Sequence, residues 1–140
     1  LRLEKGYRSL GSDIHTNTNP YESGLGFTVK LKKDENFIGK DALSKIKETP
    51  LQKKLACMVL EDPEGMALGT EPIYNDGKAV GYVTSTNYGY FVDKHIVYGY
   101  LPSELSSTGT KLELEYFGKR YPLTVTSEPL LDPENSRLKS

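Results

Sequence analysis

Apolar and polar positions alternate along much of the chain, and residues 70–85, TEPIYNDGKAVGYVTS, read as two strands folded about one tight turn. Ile73, Val80, Tyr82 and Val83 have branched or aromatic side chains that suit a pleated face, and Asn75-Asp76-Gly77 between them tolerates positive φ. The pattern predicts a hairpin closed by a tight turn. Residues 54–60 (KLACMVL) form a continuous apolar run, and residues 95–101 (HIVYGYL) set Ile96, Tyr98 and Tyr100 against Val97, Gly99 and Leu101. In residues 111–116 (KLELEY), Leu112, Leu114 and Tyr116 face in and Lys111, Glu113 and Glu115 face out; Phe117-Gly118-Lys119 then turns the chain into residues 120–126. Earlier, Leu25, Phe27, Val29 and Leu31 alternate through GLGFTVKL, which predicts a half-buried strand over 24–31. Ile38, Ala42, Leu43 and Ile46 fall at spacings of three or four, which predicts a short helix over 37–47, opened near Gly39-Lys40 or Asp41 and closed by Thr49-Pro50. About six short strands spaced roughly 8–15 residues apart predict a mainly β domain with a short α segment, an antiparallel barrel or sandwich.

The leading residues read differently. LRLEKGY carries helix formers followed by Gly6, which suits the end of a helix. Residues 8–22 are dense in Gly, Ser, Asn, Asp and Pro and predict an ordered loop, with turns favoured at Asp13 and Asn19-Pro20. Residues 128–140 form a polar tail with two prolines. The chain opens on Leu1-Arg2-Leu3 without an initiating Met, which predicts a piece of a longer polypeptide.

Composition narrows the chemistry. With 140 residues and a net charge of -1, this is one domain, or a domain with a leading segment, and it has no general field for nucleic acid. Only Tyr116, Phe117, Lys119, Arg120 and Tyr121 join aromatic and basic groups, and Glu113 and Glu115 lie beside them. Cys57, the single cysteine, sits among apolar residues and reads as a small core side chain in a reducing compartment. No apolar run approaches the roughly 20 residues of a membrane span, and no signal-peptide pattern opens the chain. His15 and His95 stand in no metal-ligand spacing, and neither a dinucleotide fingerprint, a phosphate loop nor a GxSxG elbow occurs.

Ordered motifs carry more. LRLEKGYRSLGSDI, then TNPYESGLGFTVKL and NFIGKDAL, resembles the C-terminal half of the folate-dependent aminomethyltransferase family, the glycine-cleavage T-protein and its relatives. EPIYNDGKAVGYVTSTNYGY and KLELEYFGKRYPLTV look like that family's C-terminal barrel. The opening LRLEKGYR and the ending TVTSEPLLDPENSRLKS resemble the folate-binding half of dimethylglycine and sarcosine dehydrogenases and oxidases. The resemblance spans essentially the whole chain.

It implies that residues 1–50 end a folate-binding domain, a loop, strand and helix, and that 51–140 form a Greek-key-like barrel. The implied function is an enzyme's: a one-carbon unit passes from a methylated or aminomethyl donor, a small-molecule substrate, to tetrahydrofolate, giving 5,10-methylenetetrahydrofolate. Partners are upstream folate-binding and flavin domains of the same chain; FAD belongs to the parent chain only. The location is cytoplasmic, or the mitochondrial matrix in a eukaryote. Neither nucleic acid nor membrane is a partner.

The resemblance matches Glu4 to the carboxylate that binds the pterin, with Leu3 and Lys5 flanking the ring by position and Lys33 placed toward the glutamyl tail. A carboxylate can accept two parallel charge-assisted bonds from an N–H and an adjacent amino group. The alternatives are an ion pair of Glu4 with Arg2 or Lys5, and a solvated charge at Lys33. Tyr7, Tyr88 and Tyr90 could line a pterin channel, but strand tyrosines more often pack on a barrel with a wet hydroxyl. The family's catalytic acid lies upstream of LRLE, so no catalytic residue is expected here, and the fragment alone is expected to be inactive. A different class remains open: a non-catalytic folate-binding or docking barrel of a larger assembly.

Overall fold

The structure, a computed structural model, describes residues 1–139. Six strands, β1 (Lys53–Leu60), β2 (Pro72–Asn75), β3 (Lys78–Gly89), β4 (Lys94–Pro102), β5 (Lys111–Tyr116) and β6 (Lys119–Thr126), close into an antiparallel barrel in the order β1-β4-β3-β2-β5-β6. β1 pairs with β6 to complete the circle, Cys57 opposite Thr126 and Leu60 opposite Leu123. Closure leaves no free sheet edge, which settles barrel over sandwich.

The turn between β2 and β3 forms because Asp76 and Gly77 both take positive φ, 48° and 77°, the twist that a two-residue antiparallel connection needs. β3 is longer than its apolar core and runs on through Tyr88 to pair with the start of β4.

The barrel is filled. Met58, Ile73, Val97, Leu101, Leu114 and Leu123 are completely buried inside it, so its lumen is a packed core and any ligand must bind outside. A second apolar layer lies on the outer face of β1 and β4, where Leu55, Cys57, Ile96, Tyr98 and Tyr100 meet Leu3. These two strands are therefore buried on both faces, which explains the continuous apolar run of β1 and the all-apolar alternation of β4. Burial also pushes the Cys57 thiol up to about 12, so it stays protonated and inert, the small core side chain its neighbours imply.

Helix α1 (Lys40–Glu48) is capped by Gly39 and ends at Thr49, as its spacing predicts. The helix buries none of its residues, and Ile38 ahead of it is fully exposed. The strand expected over 24–31 does not form. Gly26–Thr28 is instead a 3-10 turn in which Thr28 N–H and Val29 N–H donate to Leu25 and Gly26, and Phe27 is 73% exposed. A strand needs a neighbour to pair with, and the closed barrel offers no free edge to this segment. Gly26 is pinned against the Tyr21 ring, where a Cβ would sit 2.9 Å from Cδ1.

Candidate functional site

The leading residues Leu1 to Tyr7 end as a helix ends. Gly6 takes φ 71°, its N–H donates to Leu3 C=O, and Tyr7 N–H donates back to Arg2 C=O, the paired bonds of a Schellman closure. This tight closure sends Leu3, Glu4 and Lys5 in three directions. Leu3 packs into the outer apolar layer against Cys57 and Tyr98. Lys5 turns to the C-terminal tail, donating to Asp132 C=O at 2.8 Å and to Asn135 Oδ1 at 2.7 Å.

Glu4 is 3% exposed. Its Oε1 accepts from the backbone N–H of Phe91 at 2.7 Å and of Val92 at 3.3 Å, in the turn joining β3 to β4, and its Oε2 lies 3.3 Å from the Leu1 ammonium. Burial opposes ionisation, but hydrogen bonding, led by the Phe91 amide and joined by the Val92 amide, outweighs it and holds the carboxyl below its ordinary value. The result is a fixed anion with one oxygen committed to backbone amides. Neither Arg2 nor Lys5 is its partner, because Arg2 pairs with Asp13 and Lys5 with Asp132. The tail completes the arrangement: Leu131 N–H donates to Glu4 C=O, and Arg8 pairs with Glu128.

Beside this turn opens a cleft of about 690 Å³, edged by Lys5, Tyr7, Arg8, Leu25, Phe27 and Pro133 among others. Tyr7 is 58% exposed there. Tyr88, near the end of β3, and Tyr90, in the turn that follows it, are also exposed rather than packed on the barrel; their rings meet edge to face at 5.1 Å. For all three tyrosines the expectation of barrel packing is thus corrected. Lys33 is not brought to Glu4. It lines a separate cleft with Lys30, Lys32 and Lys47, and its ammonium stands 3.9 Å from Glu35.

Sequence reasoning missed the residue that docks this segment, Asp13. It is 1% exposed; its Oδ1 accepts from the Thr84 hydroxyl at 2.6 Å and its Oδ2 from Ser9 N–H at 2.8 Å and Arg2 at 3.0 Å. Tyr100 donates its hydroxyl to Asp13 C=O at 2.8 Å. An aspartate in a loop reads as a turn former, and Thr84 lies too far along the chain for any local pattern to reveal it. The basic and aromatic cluster on β5 and β6 is internally occupied: Arg120 pairs with Glu113 and Glu115 and stacks on Tyr74 at 3.9 Å, while Tyr121 is buried.

A closed six-stranded barrel with a segment clamped across its outer face has known counterparts. The family described as the glycine cleavage T-protein C-terminal barrel domain matches residues 53–132, and the chain belongs to it. The chain is similar to mitochondrial dimethylglycine dehydrogenase of Mus musculus, 42% identical across 99% of this chain and 16% of that protein. It is also similar to an aminomethyltransferase of Prochlorococcus marinus, 37% identical over 92% of this chain and 34% of that protein. The crystal structure of the glycine cleavage system aminomethyltransferase T from Bartonella henselae superposes with a TM-score of 0.84, at 28% identity, covering 95% of this chain and 37% of that one. The chain therefore spans about one-sixth of the dehydrogenase and one-third of the aminomethyltransferase.

Proposed function

We propose that these residues are the C-terminal part of a tetrahydrofolate-dependent aminomethyltransferase-type enzyme whose parent chain also carries a flavin-dependent dimethylglycine or sarcosine dehydrogenase. Residues 1–50 end the folate-binding domain and 51–140 form the barrel behind it. The observation that supports this reading is Glu4: a buried carboxylate kept anionic, with Oε1 fixed by two backbone amides.

A pterin edge presents an N–H and an amino group, and an ionised carboxylate is the acceptor that such a donor pair takes. Tetrahydrofolate, when bound, accepts the one-carbon unit and becomes 5,10-methylenetetrahydrofolate. The chain's own part is to bind and orient. Glu4 holds the pterin, the Leu3 and Lys5 backbone beside it forms the lip, and Lys33 meets the carboxylates of the glutamyl tail. Leu3 and Lys5 keep that lip rigid through the outer apolar layer and the tail. In this reading the reaction's acid or base and the FAD both belong to the upstream part of the parent chain. The location in this reading is the cytoplasm, or the mitochondrial matrix in a eukaryote, and a mitochondrial dehydrogenase relative supports a mitochondrial one.

The test is product analysis on the full-length protein. With dimethylglycine as donor, 5,10-methylenetetrahydrofolate is expected to accumulate when tetrahydrofolate is present. Formaldehyde released at the same rate with and without tetrahydrofolate contradicts the reading and favours a barrel with no part in one-carbon transfer.

A further inference from the structure

We infer that Asp132, in the C-terminal tail, is a positioning residue for Glu4: it holds the tail as a strap that fixes the Glu4 backbone on one side and the turn binding Glu4 Oε1 on the other. What the carboxylate is used for rests on the pterin reading above. How it is held is a matter of geometry alone.

Both carboxylate oxygens of Asp132 are engaged. Its Oδ1 accepts from Ser136 N–H at 2.8 Å and from the Ser136 hydroxyl at 2.7 Å, and its Oδ2 accepts from Arg137 N–H at 3.3 Å, which together open the short helix α2 (Ser136–Lys139). Oδ2 also lies 3.5 Å from the Lys5 ammonium, and the Asp132 side chain is only 11% exposed. The Ser136 hydroxyl leads the bonds that hold this carboxyl below its ordinary value, against the opposing effect of burial.

Two routes lead from this residue to Glu4. The first reaches the backbone: Leu131 N–H donates to Glu4 C=O at 2.9 Å, and Lys5, the next residue, donates to Asp132 C=O and to Asn135 Oδ1. The second reaches the amides that hold Oε1. Through α2, Asp132 sets the Arg137 guanidinium 5.0 Å from the centre of the Phe91 ring, where an aromatic face attracts a cation. Phe91 gives Oε1 its shorter bond, and at the far end of the same turn the Tyr88 hydroxyl donates to Asp93. Leu130 from the tail and Val92 from the turn pack on one outer apolar layer, so tail and turn share a support. A ligand that meets an acceptor already fixed in place loses less freedom on binding, and the strap thereby raises affinity through Glu4.

The experiment follows the full-length protein by amide hydrogen exchange, read by mass spectrometry, and by titration with tetrahydrofolate. Asp132→Gly removes the carboxylate and still adopts the φ of 47° found there. It is expected to speed exchange in the peptide carrying the Phe91 and Val92 amides at least about tenfold, with β1 and β4 unchanged, and to weaken tetrahydrofolate at least about fivefold. Asp132→Asn keeps one oxygen for Ser136 and is expected to restore much of both. Arg137→Ala, at an exposed position, is expected to loosen the turn with a smaller loss of affinity, and it carries the test if the Gly variant does not fold. Exchange at Phe91 and Val92 that is unchanged, or raised equally throughout the barrel, overturns the inference. So does an unchanged affinity in a loosened variant while Glu4→Gln weakens it. If Glu4→Gln leaves affinity unchanged the pterin reading falls, whereas the exchange arm uses no folate and decides the strap by itself.

Discussion

Asp13→Ala is expected to lower the stability of this unit by about 3 kcal/mol, read as a shift of its urea midpoint at unchanged slope. The carboxylate ends three bonds from separate places: the Arg2 guanidinium, Ser9 N–H and the Thr84 hydroxyl. Removing it leaves the Ser9 amide without its acceptor and the Thr84 hydroxyl with only its longer bond to Tyr98 C=O at 3.3 Å, and a donor left unsatisfied in a largely buried place costs more than a hydrogen bond contributes. Arg2 is 42% exposed, so its share is discounted, because water can replace the lost partner. Asp13→Asn keeps one acceptor oxygen and is expected to fall between wild type and Ala. A loss below about 1 kcal/mol in Asp13→Ala would mean that the apolar layer around Leu3 and Tyr98 alone docks the leading segment.

Gly81→Ala is the second large effect. A Cβ there would lie 2.1 Å from the carbonyl oxygen of Tyr100 and 3.1 Å from Leu101 Cδ2. The nearest atom is backbone, held in register by the pairing of Tyr82 with Tyr100, so it cannot turn aside as a side-chain tip could. Overpacking against a fixed ladder is expected to cost about 3 kcal/mol and to lower the thermal midpoint by several degrees. Gly77→Ala is the control. Gly77 has nothing within 4 Å of a new Cβ, so only its positive φ is penalised, about 1 kcal/mol. Equal losses at the two glycines would contradict the tight β3–β4 approach.

The barrel was legible where burial is one-sided or the turn chemistry is local. Lys111–Tyr116 alternates strictly and is a strand over those residues, and Asp76-Gly77 turns where its dihedral tolerance predicts. Alternation misled over 24–31 because periodicity states what a segment could pair with, not whether an edge is available. The same limit hid the fates of Tyr88 and Tyr90, one on the exposed face near the end of β3 and the other in the turn beyond it. In the candidate site, the LRLE motif singles out Glu4 as an expectation, but its structural partners could not be read from it. The amides of Phe91 and Val92 lie almost ninety positions away, and backbone donors leave no trace in side-chain pattern. Asp13 with Thr84 and Lys5 with Asp132 escaped notice for the same reason: long-range polar pairs follow from the closed topology and no local rule announces them.

Glu4→Gln isolates the central claim, because glutamine keeps an oxygen for the Phe91 and Val92 amides while replacing the second carboxylate oxygen with a donor. The deciding measurement is the tetrahydrofolate dissociation constant of the full-length protein and of this variant, taken beside their thermal midpoints. The account predicts affinity weakened at least about tenfold with the midpoint held. An unchanged dissociation constant in a folded variant would contradict it.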